Sequence, residues 1–223
     1  MTSVGQAARL YRGIEPSERH AQRRERLLQA GLEVFGTSGY ASSSIRAVAA
    51  AASLNTRYFY ESFNDREDLL YHVYKRIVSE VAAAVVEVTA QAETIEEKAY
   101  AGLRVSWTIL TEDPRKARVL ALEVVGVSER LERFRRENRH AFADILLANS
   151  RPITGELLRL DPVLTARSLM GAVLDLLVDW INGDLDATVE EIVDHFTRLF
   201  TAVVSAAVAE DAPAQLLRRP AQA

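Results

Sequence analysis

Apolar residues recur along the chain at helical intervals, and no stretch alternates as a strand would. From Ser17 to about Ser38, Leu27, Ala30, Gly31 and Val34 line one side of a helix, with Leu28, Leu32 and Phe35 adjoining. Gly36, Ser38 and Gly39 end it. Ile45, Val48, Ala49 and Ala52 then fall at i, i+3, i+4 and i+7, the buried face of a short helix that Ser43 or Ser44 can cap. Asn64 with Glu67 predicts the opening of a helix from Asp65 to about Gln91. Leu69, Leu70, Val73, Tyr74, Ile77, Val81 and Val85 give its apolar faces, and it is long enough to run from one module into the next. Thr94 with Glu97 caps a helix to about Leu110, which carries Tyr100, Leu103 and Trp107. Asp113-Pro114 starts another that ends at Gly126. Ser128 opens a helix to about Asn149, with Leu131, Phe134, Phe142 and Ile145 inside. Asn138 lies on that inner stripe, where a polar group needs a partner.

The last two helices are apolar on two sides. Asp161-Pro162 caps the first, which ends near Asn182-Gly183. Met170, Leu174, Leu177 and Ile181 form one stripe; Leu169, Val173, Leu176 and Trp180 form another. Thr188 with Glu191 caps the second, where Ile192, Phe196, Leu199 and Val203 belong to an equally wide face. A helix apolar on two faces needs two partners, and a second copy of the chain is the expected cover. The predicted homodimer interface is therefore Leu169, Val173, Leu176, Trp180, Ile192, Phe196, Leu199 and Val203. The predicted fold class is all-α, with about nine helices.

Between the first and the long helix, Ser42 to Phe63 reads as two short helices about a tight turn at Ser53-Leu54, with Asn55 capping the second. That second helix presents Thr56, Arg57, Tyr58 and Tyr60, while Phe59 and Phe63 face inward. Such a helix suits a major groove: Arg pairs with guanine or phosphate, Thr with bases, and a Tyr hydroxyl with phosphate. This is helix-turn-helix logic. Two ordinary core helices would show much the same spacing. Charge shifts the balance. The net formal charge of -4 conceals 11 basic against 8 acidic residues over positions 1–76, and 16 against 23 over the rest. Arg19, Arg23, Arg24 and Arg26 crowd the start of the first helix, where they oppose its dipole. A phosphate partner explains them better than a solvated face does.

LLQAGLEVFGTSGYASSSIRAVAAAASLNTRYFYESFNDREDLL resembles the DNA-binding end of the tetracycline-repressor (TetR) family, from roughly Arg24 to Leu70. The marks are Ala30, Phe35, Gly39-Tyr40, Ser44-Ile45, Val48-Ala49, Tyr60, Phe63 and Glu67 to Leu69. Two positions depart from the family pattern: the usual turn glycine is Ser53, and the usual Tyr-His pair is Glu61-Ser62. The resemblance implies DNA contacts from Ser44, Arg46, Thr56, Arg57, Tyr58, Tyr60 and Arg66, the last at the position of the family's phosphate-binding lysine. It also implies an effector pocket enclosed by the C-terminal helices, for which Tyr100, Trp107, Phe134, Asn138, Phe142, Met170 and Leu174 are the candidates. Plain core packing is the alternative for each of those seven.

The expected organisation is an arm at 1–16, a helix-turn-helix DNA-binding domain at 17–66, a ligand-binding and dimerisation domain at 67–210, and a tail at 211–223. There is no cysteine, so thiolate chemistry is excluded. His140 with Asp144, and Asp175 with Asp179, read as surface pairs rather than ligands or catalytic groups. No enzyme, cofactor or metal is expected. Neither a signal peptide nor a bilayer-spanning run is legible, so a cytoplasmic location is expected and a membrane partner is not. The expected partners are a pseudo-palindromic double-stranded operator, a largely apolar small molecule and a second copy of the chain. The resemblance favours a repressor released by that molecule; an activator, a ligand-independent regulator or a helical adaptor without specific DNA binding are the alternatives.

Overall fold

The structure is a computed structural model that describes residues 16–154 and 160–207. The arm read at 1–16, apart from its last residue, and the tail read at 211–223 lie outside the described residues. Among the described residues there are nine α-helices, one π-helical turn and no strand: α1 Pro16–Ser38, α2 Ile45–Ala51, α3 Thr56–Tyr60, α4 Arg66–Thr89, α5 Ile95–Glu112, α6 Pro114–Arg118, the π turn Val119–Glu123, α7 Glu129–Thr154, α8 Pro162–Asn182 and α9 Val189–Ala207.

The helix ends follow local rules. Asn55 Oδ1 accepts from Arg57 N at 2.9 Å, and Thr94 forms a full capping box with Glu97. Asp113 and Asp161 cap helices whose first residue is proline, and Gly183 ends α8 in the left-handed region. The start of α4 corrects the sequence reading by one residue. Asp65, not Asn64, is the cap, accepting from Asp68 N at 2.7 Å. Asp68, rather than Glu67, reaches back to Asn64 N at 3.2 Å, while Glu67 accepts from the Ser128 hydroxyl at 2.7 Å. The predicted helix from Asp113 to Gly126 is also interrupted, since its second half winds as the π turn.

Helices α1 to α3 pack as a small head around Leu27, Phe35, Val48, Phe59 and Phe63. The head sits on the N-terminal turns of α4, and one apolar core continues through Leu69, Leu70 and Val73 as far as Phe200. Gly36 of α1 lies so close to Arg115 of α6 that a Cβ would have no room. Ion pairs fasten the same seam: Glu25 with Arg76, and Glu33 with Arg115. In the body, α5 lies between α4 and α9, and α7 packs on α8.

That arrangement corrects part of the dimer reading. Leu169, Ile192 and Phe196 are only 8%, 3% and 1% exposed, because their own chain covers them; α9 spends that face on α5. They cannot offer surface to a second copy. Val173, Leu176, Trp180, Leu199 and Val203 are half-buried, and Trp180 rests edge-on against Trp107 at 6.3 Å between ring centroids.

Candidate nucleic-acid interface and ligand cavity

The outer face of the head is built by α2, the turn and α3. Ser44 Oγ accepts from Ala47 N at 3.1 Å and fixes the start of α2. Buried Phe59 and Phe63, 5.8 Å apart, anchor α3. The opposite side of α3 is open: Tyr60 is 63% exposed and the Arg57 side chain 83%. Arg46 and Ser44 are exposed as well, and Thr56 and Tyr58 are half-buried beside them. Six of the seven residues expected at DNA are thus at least partly exposed on α2, α3 and their caps. Arg66 does not turn outward. Its guanidinium donates to the carbonyl oxygens of Tyr40, at 3.0 Å, and of Ser43, and stacks over the Tyr40 ring at 4.3 Å.

The arginines of α1 have partners within the head, which corrects the phosphate explanation for three of them. Arg23 stacks over Tyr58 at 4.6 Å and reaches Glu61 at 3.4 Å. Arg24 lies over Phe63 at 4.9 Å. Arg26 donates to the carbonyl oxygens of Ala52 and Ser53, just past the C-terminal end of α2. Each thus ties α1 to the helix-turn-helix. Arg19 alone of the cluster is exposed without such a role among the described contacts. Glu61 sits between Arg23 and Arg57, at 3.4 Å from each, the local pairing that i, i+4 spacing allows.

The body holds a partly open cavity of about 400 Å³ between α4, α5, α7, α8 and α9, a size ordinary for a small-molecule site. Of the seven candidates, Trp107, Asn138, Phe142, Met170 and Leu174 line it. Tyr100 and Phe134 do not, and are corrected. Phe134 packs between Tyr71 and Tyr74, at 4.6 and 5.6 Å, so its inward position meets rings rather than space. The Tyr100 hydroxyl accepts from Arg104 at the surface.

Most of the wall is aliphatic, with Val78, Val81 and Val85 from α4 and Leu103 and Leu110 from α5. Polar side chains interrupt it, among them Thr89, Ser106, Thr165 and Asp175. Asn138 donates its amide to the Phe134 carbonyl at 2.7 Å. Arg135 and Arg139 stand one turn apart on the same helix, Arg135 donating to both carboxylate oxygens of Glu132 at 2.9 Å, and Lys98 comes from α5. Sequence reasoning missed these cations, although 135, 138, 139 and 142 repeat the i, i+3, i+4, i+7 spacing of one face. Tyr74 also lines the wall. Burial pushes its hydroxyl pKa up to about 12, against the pull of Arg135 and Arg139, so it stays a neutral donor at ordinary pH. Among the described residues, no group of three His, Asp or Glu could hold a metal ion. No described helix is long and apolar enough to cross a membrane.

Comparison with known proteins follows the same division. The family model for bacterial regulatory proteins of the tetR family matches residues 27–73, the head and the start of α4. No curated protein matches the chain. Among solved structures, the fatty acid degradation regulator FadR from Bacillus halodurans superposes with a TM-score of 0.73 at 19% identity, over 85% of this chain and 96% of that one. FadR from Bacillus subtilis, solved in complex with stearoyl-CoA, gives a TM-score of 0.71 at 20% identity, over 80% and 98%. A TetR/AcrR-family regulator from Thermobifida fusca gives 0.60 at 24% identity, over 80% and 96%. At these identities the likeness to solved structures establishes the fold.

Proposed function

We propose, for a chain that belongs by its N-terminal head to the tetR family of bacterial regulatory proteins, that it is a homodimeric repressor released from its operator by an amphiphile with a long apolar tail and an anionic head. That the chain is a DNA-binding transcriptional regulator is the premise. The observation that carries the rest is the cavity: a mainly aliphatic volume of about 400 Å³ whose polar lining includes the cations Arg139 and Lys98, and Arg135, which also holds Glu132. Aliphatic walls favour a hydrocarbon tail, and guanidinium groups favour a carboxylate or phosphate. The stearoyl-CoA bound by the Bacillus subtilis neighbour is a compound of that class, and makes long-chain acyl thioesters the first candidates here.

In this reading residues 17–66 bind DNA and 67–210 bind the ligand and the second copy. Ser44, Arg46, Thr56, Arg57, Tyr58 and Tyr60 face DNA, and Arg66 positions the loop behind them. Val173, Leu176, Trp180, Leu199 and Val203 form the two-fold interface. Two heads about one DNA turn apart, ~34–36 Å, would select a pseudo-palindrome. A ligand preferring the conformation that binds DNA poorly lowers operator affinity by the factor that DNA lowers its own.

The test is selection of bound sequences from a random DNA pool, followed by titration of the selected complex with stearoyl-CoA. Release at a concentration that also saturates calorimetric binding is expected. Selected sites without inverted symmetry would overturn the dimeric reading; saturation without release would overturn the repressor mechanism.

A further inference from the structure

The cavity wall and the DNA-binding head meet at the π turn Val119–Glu123. Leu120 and Ala121 of that turn line the cavity. Two residues on, the Glu123 side chain is 12% exposed and belongs to the head's side of the seam. Its Oε2 accepts from the backbone N–H of Tyr40 at 2.7 Å, and its Oε1 from Nε of Arg118 at 2.8 Å. Gly39 makes the approach possible. It stands at φ +84°, where an L side chain is strained, and a Cβ there would lie 3.3 Å from Oε2. Beyond Tyr40 the bonds continue. Its carbonyl accepts from Ser43 N at 3.2 Å, from Ser43 Oγ at 2.7 Å and from Arg66 at 3.0 Å. Ser43 precedes Ser44, the cap of α2. Hydrogen bonds through Tyr40 thus link a residue next to the cavity wall to Ser43, the residue before the cap of α2.

The winding of the turn decides whether that link exists. In an α-helix, residues five apart point about 140° away from each other. The wider i→i+5 turn brings them towards one side, which is where Arg118 and Glu123 pair. Re-winding Val119–Glu123 as α-helix would swing the carboxylate off both Arg118 and Tyr40. A π turn is an uncommon state that concentrates at functional sites. Leu120 and Ala121 pack in the apolar core and border the cavity, so what fills the cavity bears on the turn.

We propose that Glu123 is the positioning residue through which cavity occupancy reaches the DNA-binding head: a ligand against Leu120 and Ala121 re-winds the π turn, withdraws the carboxylate from the Tyr40 amide and frees the loop that sets α2. The proposal rests on the reading of the cavity as the effector site. Its energetic requirement is that the ligand bind the re-wound state better than the π state.

The test follows the Tyr40 amide by hydrogen exchange in the full chain, with affinity for the selected DNA measured in parallel. Stearoyl-CoA is the ligand probe. Leu174→Trp, or Met170→Phe as a smaller fill, occupies the cavity with a side chain and needs no ligand. Either treatment should speed Tyr40 exchange and weaken DNA binding by about tenfold, a usual size for coupling between sites. Glu123→Ala should show fast Tyr40 exchange from the outset and respond little to either treatment. Glu123→Gln keeps an acceptor for the amide and should retain slow exchange and DNA binding. A merely structural Glu123 would lower DNA affinity in Glu123→Ala while leaving the ligand-induced ratio intact, and that result overturns the proposal. So does DNA release by stearoyl-CoA with unchanged Tyr40 exchange, which would leave the effector reading standing. If stearoyl-CoA does not bind but the cavity-filling variants still speed Tyr40 exchange, the relay is supported and the acyl-thioester reading fails.

Discussion

Ser53 is the only described non-glycine residue with positive φ, at +51°, in the turn between α2 and α3. Its side chain is exposed, so replacing it loses little packing. Arg26 fixes the turn from outside by donating to the carbonyls of Ala52 and Ser53. The left-handed region costs an L-residue ~1–2 kcal/mol. Glycine avoids that cost, but its freer unfolded chain returns ~0.5–1 kcal/mol. Ser53→Gly should therefore stabilise the protein by about 0.5–1 kcal/mol. For a chain of this length that is a rise of roughly 1–4 °C in Tm. Ser53→Val, β-branched and still left-handed, should lower it. Circular-dichroism melts of the three proteins at one fixed concentration are the assay, since dimerisation makes Tm depend on concentration. If glycine lowers Tm, or if glycine and valine behave alike, the turn does not hold Ser53 in the left-handed region and the strain account fails.

Leu176→Glu with Leu199→Glu should give a folded monomer in sedimentation at micromolar concentration, because both residues are half-buried in the single chain; a wild-type monomer would remove the basis for the interface. Arg57→Ala should cost about 1–3 kcal/mol on the selected DNA and relax choice at one base position, whereas Tyr60→Phe should weaken specific and random DNA alike. If Arg57→Ala leaves base preference unchanged, its pairing with Glu61 has already occupied the guanidinium, and readout rests on Thr56, Tyr58 or Arg46. The hydrogen bond from Arg115, outweighing burial, holds the Asp113 carboxyl below its usual 3.8. A lowered carboxylate pKa adds stability that is present above the unfolded value and lost as pH falls through the folded one. Acid melts should accordingly fall less steeply for Asp113→Asn than for wild type below about pH 4, and equal slopes would show that the pair adds nothing.

Much of the fold was legible because helix ends obey local chemistry. Asn55, Thr94 with Glu97, and Asp113 and Asp161 before proline each act on N–H groups within a few residues, so sequence spacing suffices; for α2 it left Ser43 and Ser44 both open, and Ser44 is the cap. The start of α4 was harder. Glu67 and Asp68 are equally able to reach back, and the choice depends on Ser128 and Arg130 about sixty residues away, which take Glu67 and Asp68 respectively. The π turn has no local mark, since VLALE is an ordinary helical string and the Tyr40 amide that Glu123 accepts from lies 83 residues away. The arginines of α1 were visible as a cluster, but not their partners. Nor could the wide stripe on α9 say which of its faces α5 would cover. For Phe134 the period said inward; it could not say whether inward meant a cavity or the ring of Tyr71.

The ion pairs between head and body carry a consequence for how DNA binding responds to salt. Glu25 with Arg76, and Glu33 with Arg115, are 40–51% exposed, so added electrolyte screens them. Each is worth little alone, yet both bear on how firmly the head is held at the angle that matches a groove. Salt then acts on the operator complex twice, once by competing for phosphates and once by loosening the head. The slope of log affinity against log salt, normally converted to a number of neutralised phosphates, would overcount them here. Glu25→Gln and Glu33→Gln remove the second contribution, and the slope that remains measures the DNA contacts themselves.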